Sequence, residues 1–231
     1  MQNAKTAVRC LFTFLFLFSA LPVFGADKAK DDATFRNAAT VLEEMLEKKS
    51  VPEDLLARAD CVIVLPGVKK MAFGVGGSGG RGPMTCRTGN NFSGKWSAPA
   101  MFSIGGASAG FQVGGSSTDF VLLVMSQSAV DALLKGKTKV GNDVTAAAGP
   151  GATTGSSVGG AGILTYGRAK GLFAGVSLSG ATLDSDNDAN KRLYGKALSA
   201  RDIVRGNTAV VTTGGESLVS LLNAKVPKHK M

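Results

Sequence analysis

The side chains best placed to do chemistry in this sequence are basic. Lys69-Lys70, Lys135/Lys137/Lys139, Arg168/Lys170 and Lys191/Arg192/Lys196 sit at expected turns or helix ends. Clusters of this kind attract anionic surfaces, by about 1 kcal/mol per charge near a membrane. Nucleic acid is the obvious rival partner. The chain has one Trp and two Tyr, too few aromatics for a base-stacking surface, and nucleic acid is set aside.

Other chemistries find little support. There is one His among 231 residues, which opposes Ser-His-Asp or Cys-His catalysis and His-rich metal sites. Gly74-Val75-Gly76-Gly77-Ser78-Gly79 matches G-x-G-x-x-G, but Arg81-Gly82-Pro83 follows. A dinucleotide site needs a helix to open there, facing the pyrophosphate. Gly136-Lys137-Thr138 resembles the end of a P-loop, yet Asp131 stands where the first glycine belongs. Asp184-Ser185-Asp186-Asn187-Asp188 resembles the start of a calcium loop, with Ala189 and Gly195 where Gly and Glu are required. Asp186 or Asp188 reads better as a helix cap. Asp119, beside the apolar run from Phe120, is the acid expected to be partly buried, bonding a turn or pairing with an Arg. No catalytic residue, metal or cofactor is assigned.

The elements that must position the basic residues follow from composition. Glycine accounts for 31 of 231 residues, about 13% against a usual ~7%. None of these lies between 26 and 66. Residues 26–60 carry six basic and nine acidic side chains, and residues 61–231 carry eighteen and eight. The net +10 therefore belongs to the glycine-rich body. Phe35, Ala39, Leu42 and Met45/Leu46 predict an amphipathic helix over 33–48, with its apolar face in the core. A second helix opens at Pro52. Cys61–Leu65 is a buried strand ended by Pro66-Gly67. Phe111–Val113, Phe120–Val124 and the alternating 172–179 run are strand-like. A helix over 129–135, capped by Ser128 and stopped by Gly136, interrupts them. Helices return near 189–197, 200–204 and 216–223, and the tail from Lys225 is expected to fray. The segment 149–162 reads as a small-residue loop or weak strand pair.

Lys5 and Arg9, the apolar run 11–18, and Val23 and Gly25 look like a secretory signal cut near Gly25. The run is short for a span of about 20 residues. Residues 26–231 would then form one exported domain, periplasmic or secreted. Such a compartment permits a disulfide between Cys61 and Cys86, and two buried thiols is the plainer alternative.

Read in order, the segments resemble the SYLF domain family, a lipid-binding module. The resemblance rests on Ala59-Asp60 into Cys61–Leu65, Gly74–Gly82, Gly94-Lys95-Trp96-Ser97-Ala98-Pro99-Ala100, Gly110–Gly114, Thr118-Asp119-Phe120-Val121, Lys170–Gly175 and Asp188–Gly195. It is strongest over 33–206, with a C-terminal helix and tail over 207–231. It implies an α+β fold: a glycine-rich antiparallel, barrel-like sheet with N-terminal helices and peripheral C-terminal helices. It also implies lipid binding through basic residues and an N-terminal amphipathic helix. Glu43, Glu44 and Glu47 make the polar face of that helix acidic, which disfavours insertion into a membrane. The expected function is thus a non-enzymatic, exported protein that binds anionic phospholipid headgroups, with Lys69, Lys70, Arg168 and Lys170 as contacts. An envelope structural or protein-interaction module is the alternative, and a hydrolase with an unusual site a third reading. Actin binding, known in some members of the family, is not carried over to an exported chain.

Overall fold

The computed structural model describes residues 23–73, 75–108, 116–150, 160–169, 171–206 and 208–230. The expected strand Phe111–Val113 lies outside them, as does most of the 149–162 segment.

Helix α1 (Val23–Glu47) and short α2 (Glu53–Arg58) come first. Strands β1 (Cys61–Phe73), β2 (Val75–Cys86), β3 (Ala100–Ser108) and β4 (Ser116–Val124) follow, then α3 (Gln127–Lys135). After it come β5 (Thr138–Lys139), β6 (Ala146–Ala148), β7 (Ile163–Ala169), β8 (Leu172–Gly175) and β9 (Thr182–Ser185). Helices α4 (Asn187–Tyr194), α5 (Ala200–Val204) and α6 (Glu216–Lys225) close the chain. The α+β class expected from sequence is the class observed.

The nine strands form one sheet in the order β5-β9-β3-β2-β1-β4-β7, with β6 and β8 sharing the far side of β7. All described strand pairings are antiparallel except β6 with β7; the isolated bridge Val140–Val144 is also parallel. The sheet curls until β5 and β6, at its two ends, are joined by one turn in which Gly141 N donates to Val144 O at 2.8 Å. That accounts for the barrel-like character.

Both faces of the central strand are covered. Cys61, Ile63 and Leu65 face an interior shared with Phe102, Leu122, Ile163, α3 and α5. Val62 and Val64 face α1, α2 and α6. Alternate burial on two faces explains why Cys61–Leu65 is apolar throughout, without the polar alternation of a half-exposed strand. In α1, Phe35 and Leu42 are fully buried and Met45 nearly so, and each contributes about 1.5–3 kcal/mol. This is the core role expected for that face.

β1 does not end at Pro66-Gly67. It bulges there, shifting register against both β2 and β4, and continues to Phe73. Gly67 takes φ +61°, which a glycine adopts without a Cβ penalty. The bulge pushes β1 over β2: a Cβ on Gly82 would lie 1.8 Å from the Val64 carbonyl oxygen. The glycine-rich stretch that mimics a dinucleotide motif continues as β2 and opens no helix; Gly74 itself lies outside the described residues.

Two expectations change in detail. Ser126, not Ser128, caps α3, accepting from Ala129 N at 3.3 Å, three residues on as N-cap geometry requires. The C-terminal tail does not fray. Lys230 N donates to Ala57 O at 3.0 Å and Arg87 Nη2 to Pro227 O at 2.6 Å. Cys61 and Cys86, register partners at the start of β1 and end of β2, form a disulfide.

Candidate functional site

The β1 bulge opens a groove of about 720 Å³ between α1 and the sheet. On the helix side it is lined by Thr34, Asn37 and Thr40, three residues apart and so on one face. On the sheet side Gly79 and Gly80 leave the floor bare of side chains. Lys69 from β1, Arg81 from β2 and Arg168 from β7 bring three cations to its walls.

Each cation is held differently. Arg168 Nε donates to Asp119 Oδ2 at 2.7 Å, and its Nη1 bonds Glu44 of α1. Its guanidinium also lies 5.7 Å from the centre of the Phe173 ring. Asp119 uses its other oxygen to accept from Gly67 N at 2.7 Å. This carboxylate does both things expected of it, fixing a turn and pairing with an Arg. Arg81 Nη1 lies 3.1 Å from Asp186 and 3.1 Å from Asp31 Oδ1, the latter in ion-pair range but outside hydrogen-bond alignment. Asp31 is fully buried, and its second oxygen accepts from Arg192 Nε at 2.8 Å. Asp186 caps α4 through Ala189 N at 3.0 Å, as expected from sequence. Lys69 is exposed and forms no ion pair among the described residues.

The basic residues singled out in the sequence divide accordingly. Lys69 and Arg168 meet in this groove. The side chain of Lys70 and the whole of Lys170 lie outside the described residues. Sequence reasoning missed Arg81, which stands alone between glycines, and the row Asn37, Thr40, Glu44. The spacing of that row was readable; which way it faced depended on the apolar stripe opposite.

A second polar cluster surrounds the only histidine. His229 Nε2 lies 3.1 Å from Asp60 Oδ1, and both side chains are 9% exposed. Burial raises the Asp60 carboxyl above its ordinary value, an effect opposed by His229, Arg205 and Arg87. Arg87 stacks 4.5 Å over Trp96, and Arg205 4.1 Å over Phe92. The cluster ties the tail to the start of β1 and end of β2. Among the described residues, no group of three or more His, Cys, Asp or Glu is placed to hold a metal ion.

Comparison with known proteins adds the context. The family model described as "Ysc84: Las17-binding protein actin regulator" matches residues 105–225, just over half of the chain. An SH3 domain-containing protein of Schizosaccharomyces pombe is 35% identical over 183 residues, 76% of this chain and 41% of that protein. Human SH3 domain-containing YSC84-like protein 1 is 32% identical over 210 residues, 84% of this chain and 59% of its own length. LAS seventeen-binding protein 3 of Saccharomyces cerevisiae is 34% identical over 163 residues, 68% and 35% respectively. The chain therefore spans less than two thirds of each, from 35% to 59%. The family description and the budding-yeast name speak of binding and regulation.

These relatives correct the expected location. SH3 domain-containing proteins of yeasts and mammals, and a family described by actin regulation, belong with the cytoplasmic machinery of the cell. The export expectation, periplasmic or secreted after a cut near Gly25, is withdrawn. With export goes the ground on which a cytoskeletal partner was set aside. The resemblance to SYLF domains holds: by the match of the family model and the span of its relatives, the chain belongs to the Ysc84 family.

Proposed function

We propose that this chain is a binding module that docks on anionic phospholipid headgroups through the groove between α1 and the β1 bulge. The observation that carries the reading is the convergence of Lys69, Arg81 and Arg168 on one open groove. Guanidinium groups suit phosphate because they present paired N–H donors in a rigid fork. Asn37 and the two threonines of α1 offer amide and hydroxyl partners to the rest of a headgroup. Lys70 and Lys170, beside Lys69 and Arg168 in sequence, extend the proposed contact surface. The net +10 of residues 61–231 draws the module toward an anionic membrane at long range.

The test is sedimentation of the full chain with phosphatidylcholine vesicles, with and without phosphatidylserine, at low and physiological salt. The reading requires binding to the anionic vesicles that weakens with salt. It also requires Lys69→Glu to bind less. Equal binding to neutral vesicles would remove the groove cations from the function.

A second reading is favoured by the names of the relatives. Las17-binding relatives suggest that this module also engages a protein partner of the actin machinery. A pull-down with a Las17-type protein that persists after lipid extraction would separate that role from lipid binding.

A further inference from the structure

We infer that Glu44 sets the anion affinity of the groove by occupying Arg168 in competition with the ligand. The inference rests on the headgroup reading above.

Arg168 is one cation bound by two carboxylates, Asp119 and Glu44. The two are not equivalent. Asp119 is 17% exposed, and its second oxygen is engaged by Gly67 N, so the β1 bulge fixes its position. Glu44 is 35% exposed and reaches Arg168 across the interface from α1. It belongs to the helix face that lines the groove, four residues beyond Thr40 and seven beyond Asn37. Asp119 takes Nε and Nη2 of the guanidinium, and Glu44 takes Nη1. A phosphate oxygen entering the groove can take over Nη1 and leave the Asp119 pair intact. Before that exchange Arg168 offers the ligand no net positive charge. The clamp sits beside a second tie between the same parts, Lys48 Nζ to Gly171 O at 2.6 Å. Displacement of Glu44 therefore loosens the C-terminal end of α1 from the β7–β8 hairpin.

Glu44→Gln removes the competing charge and keeps the shape. Glu47→Gln makes the same change in net charge on an exposed residue of the same helix, 3.9 Å from Lys225 and away from Arg168. The full chain is titrated with phosphatidylcholine vesicles containing phosphatidylserine, and with soluble glycerol 3-phosphate. Glu44→Gln should bind the anionic vesicles about two- to fivefold more tightly than wild type, the range for release of a partly exposed ion pair. Glu47→Gln should bind as wild type does, and the gain should vanish in Glu44→Gln/Arg168→Gln. Glu44→Ala is the second variant, and thermal melts verify that each is folded. A gain confined to glycerol 3-phosphate supports the gate with free phosphate as its ligand. Wild-type affinity in both Glu44 variants, or an equal gain in Glu47→Gln, overturns the gate while leaving the headgroup reading intact. No binding by wild type or any variant overturns both.

Discussion

Asp119 and Arg168 form the pair on which the groove is built: Arg168 Nε donates to Asp119 Oδ2 at 2.7 Å, joining β7 to β4 beneath α1. The same carboxylate holds Gly67 N at 2.7 Å, so one side chain fixes both the cation and the bulge that opens the groove. Asp119→Ala should cost about 1–3 kcal/mol, because it leaves Arg168 Nε and the Gly67 backbone N–H without their acceptor. Asp119→Asn retains one acceptor and should cost less. Urea denaturation of both variants checks the order.

Gly82 is the most demanding glycine of the bulge region. A Cβ there would meet the Val64 carbonyl oxygen at 1.8 Å, and a backbone atom cannot step aside as a side chain can. Gly82→Ala should destabilise by more than about 3 kcal/mol or fail to fold, a severe overpacking cost. Gly77, also in β2, has no atom within 4 Å of the added carbon, and Gly77→Ala should be nearly neutral. Soluble yield and thermal midpoint of the two variants distinguish them.

The Cys61–Cys86 bridge closes a loop with a sequence separation of 25. Chain-entropy arguments place such a cross-link at about 3 kcal/mol. Cys61→Ala/Cys86→Ala should lower unfolding stability by that order, measured by urea titration without reductant. Added reductant should then leave the double variant unchanged.

The Asp60 carboxyl is raised from its ordinary value of 3.8, chiefly by burial. The folded state thus holds its proton more tightly than the unfolded chain does. This carboxyl contributes stability that is fully present below pH 3.8 and lost as pH rises through its folded value. Above that value the penalty is constant. Asp60→Asn should remove this part of the pH dependence. The difference in urea midpoint between wild type and Asp60→Asn, followed upward from pH 3.5, should shift in favour of the variant. A difference that stays flat through the acidic range contradicts the assignment.

Much of the architecture was legible because local and long-range signals agree. The α1 stripe of Phe35, Leu42 and Met45 has helical spacing; Leu42 and Met45 meet a sheet face of Val62 and Val64, and Phe35 packs on Met101 and α4. Asp119 was readable as a pairing acid because it stands alone beside an apolar strand. The β1 bulge was less legible. Pro66-Gly67 is an ordinary stop signal, and only the pairing of Val68–Lys70 with 116–118 of β4 and of Lys69–Phe73 with 75–79 of β2 carries the strand past it. The docked tail was missed for a similar reason. Pro227, His229 and Lys230 look solvated in sequence, but Arg87 Nη2 donates to Pro227 O, Asp60 pairs with His229, and Lys230 N donates to Ala57 O, all from far away in the chain. The groove's electrostatics were misjudged from charge totals. The +10 body contains Arg168 and Arg81, but Glu44 and Asp31 of the acidic N-terminal segment reach across to them.

The near-closure of the sheet between β5 and β6 also bears on self-association. Exposed strand edges invite pairing with another chain, and long uncharged ones are the most hazardous. Here the outermost strands, β5, β6 and β8, are two, three and four residues long. The long glycine-rich strands, with few side chains to deter a foreign strand, sit in the middle with neighbours on both sides. Curling therefore leaves the described long glycine-rich strands paired within the molecule, with only short strands at the sheet's margins.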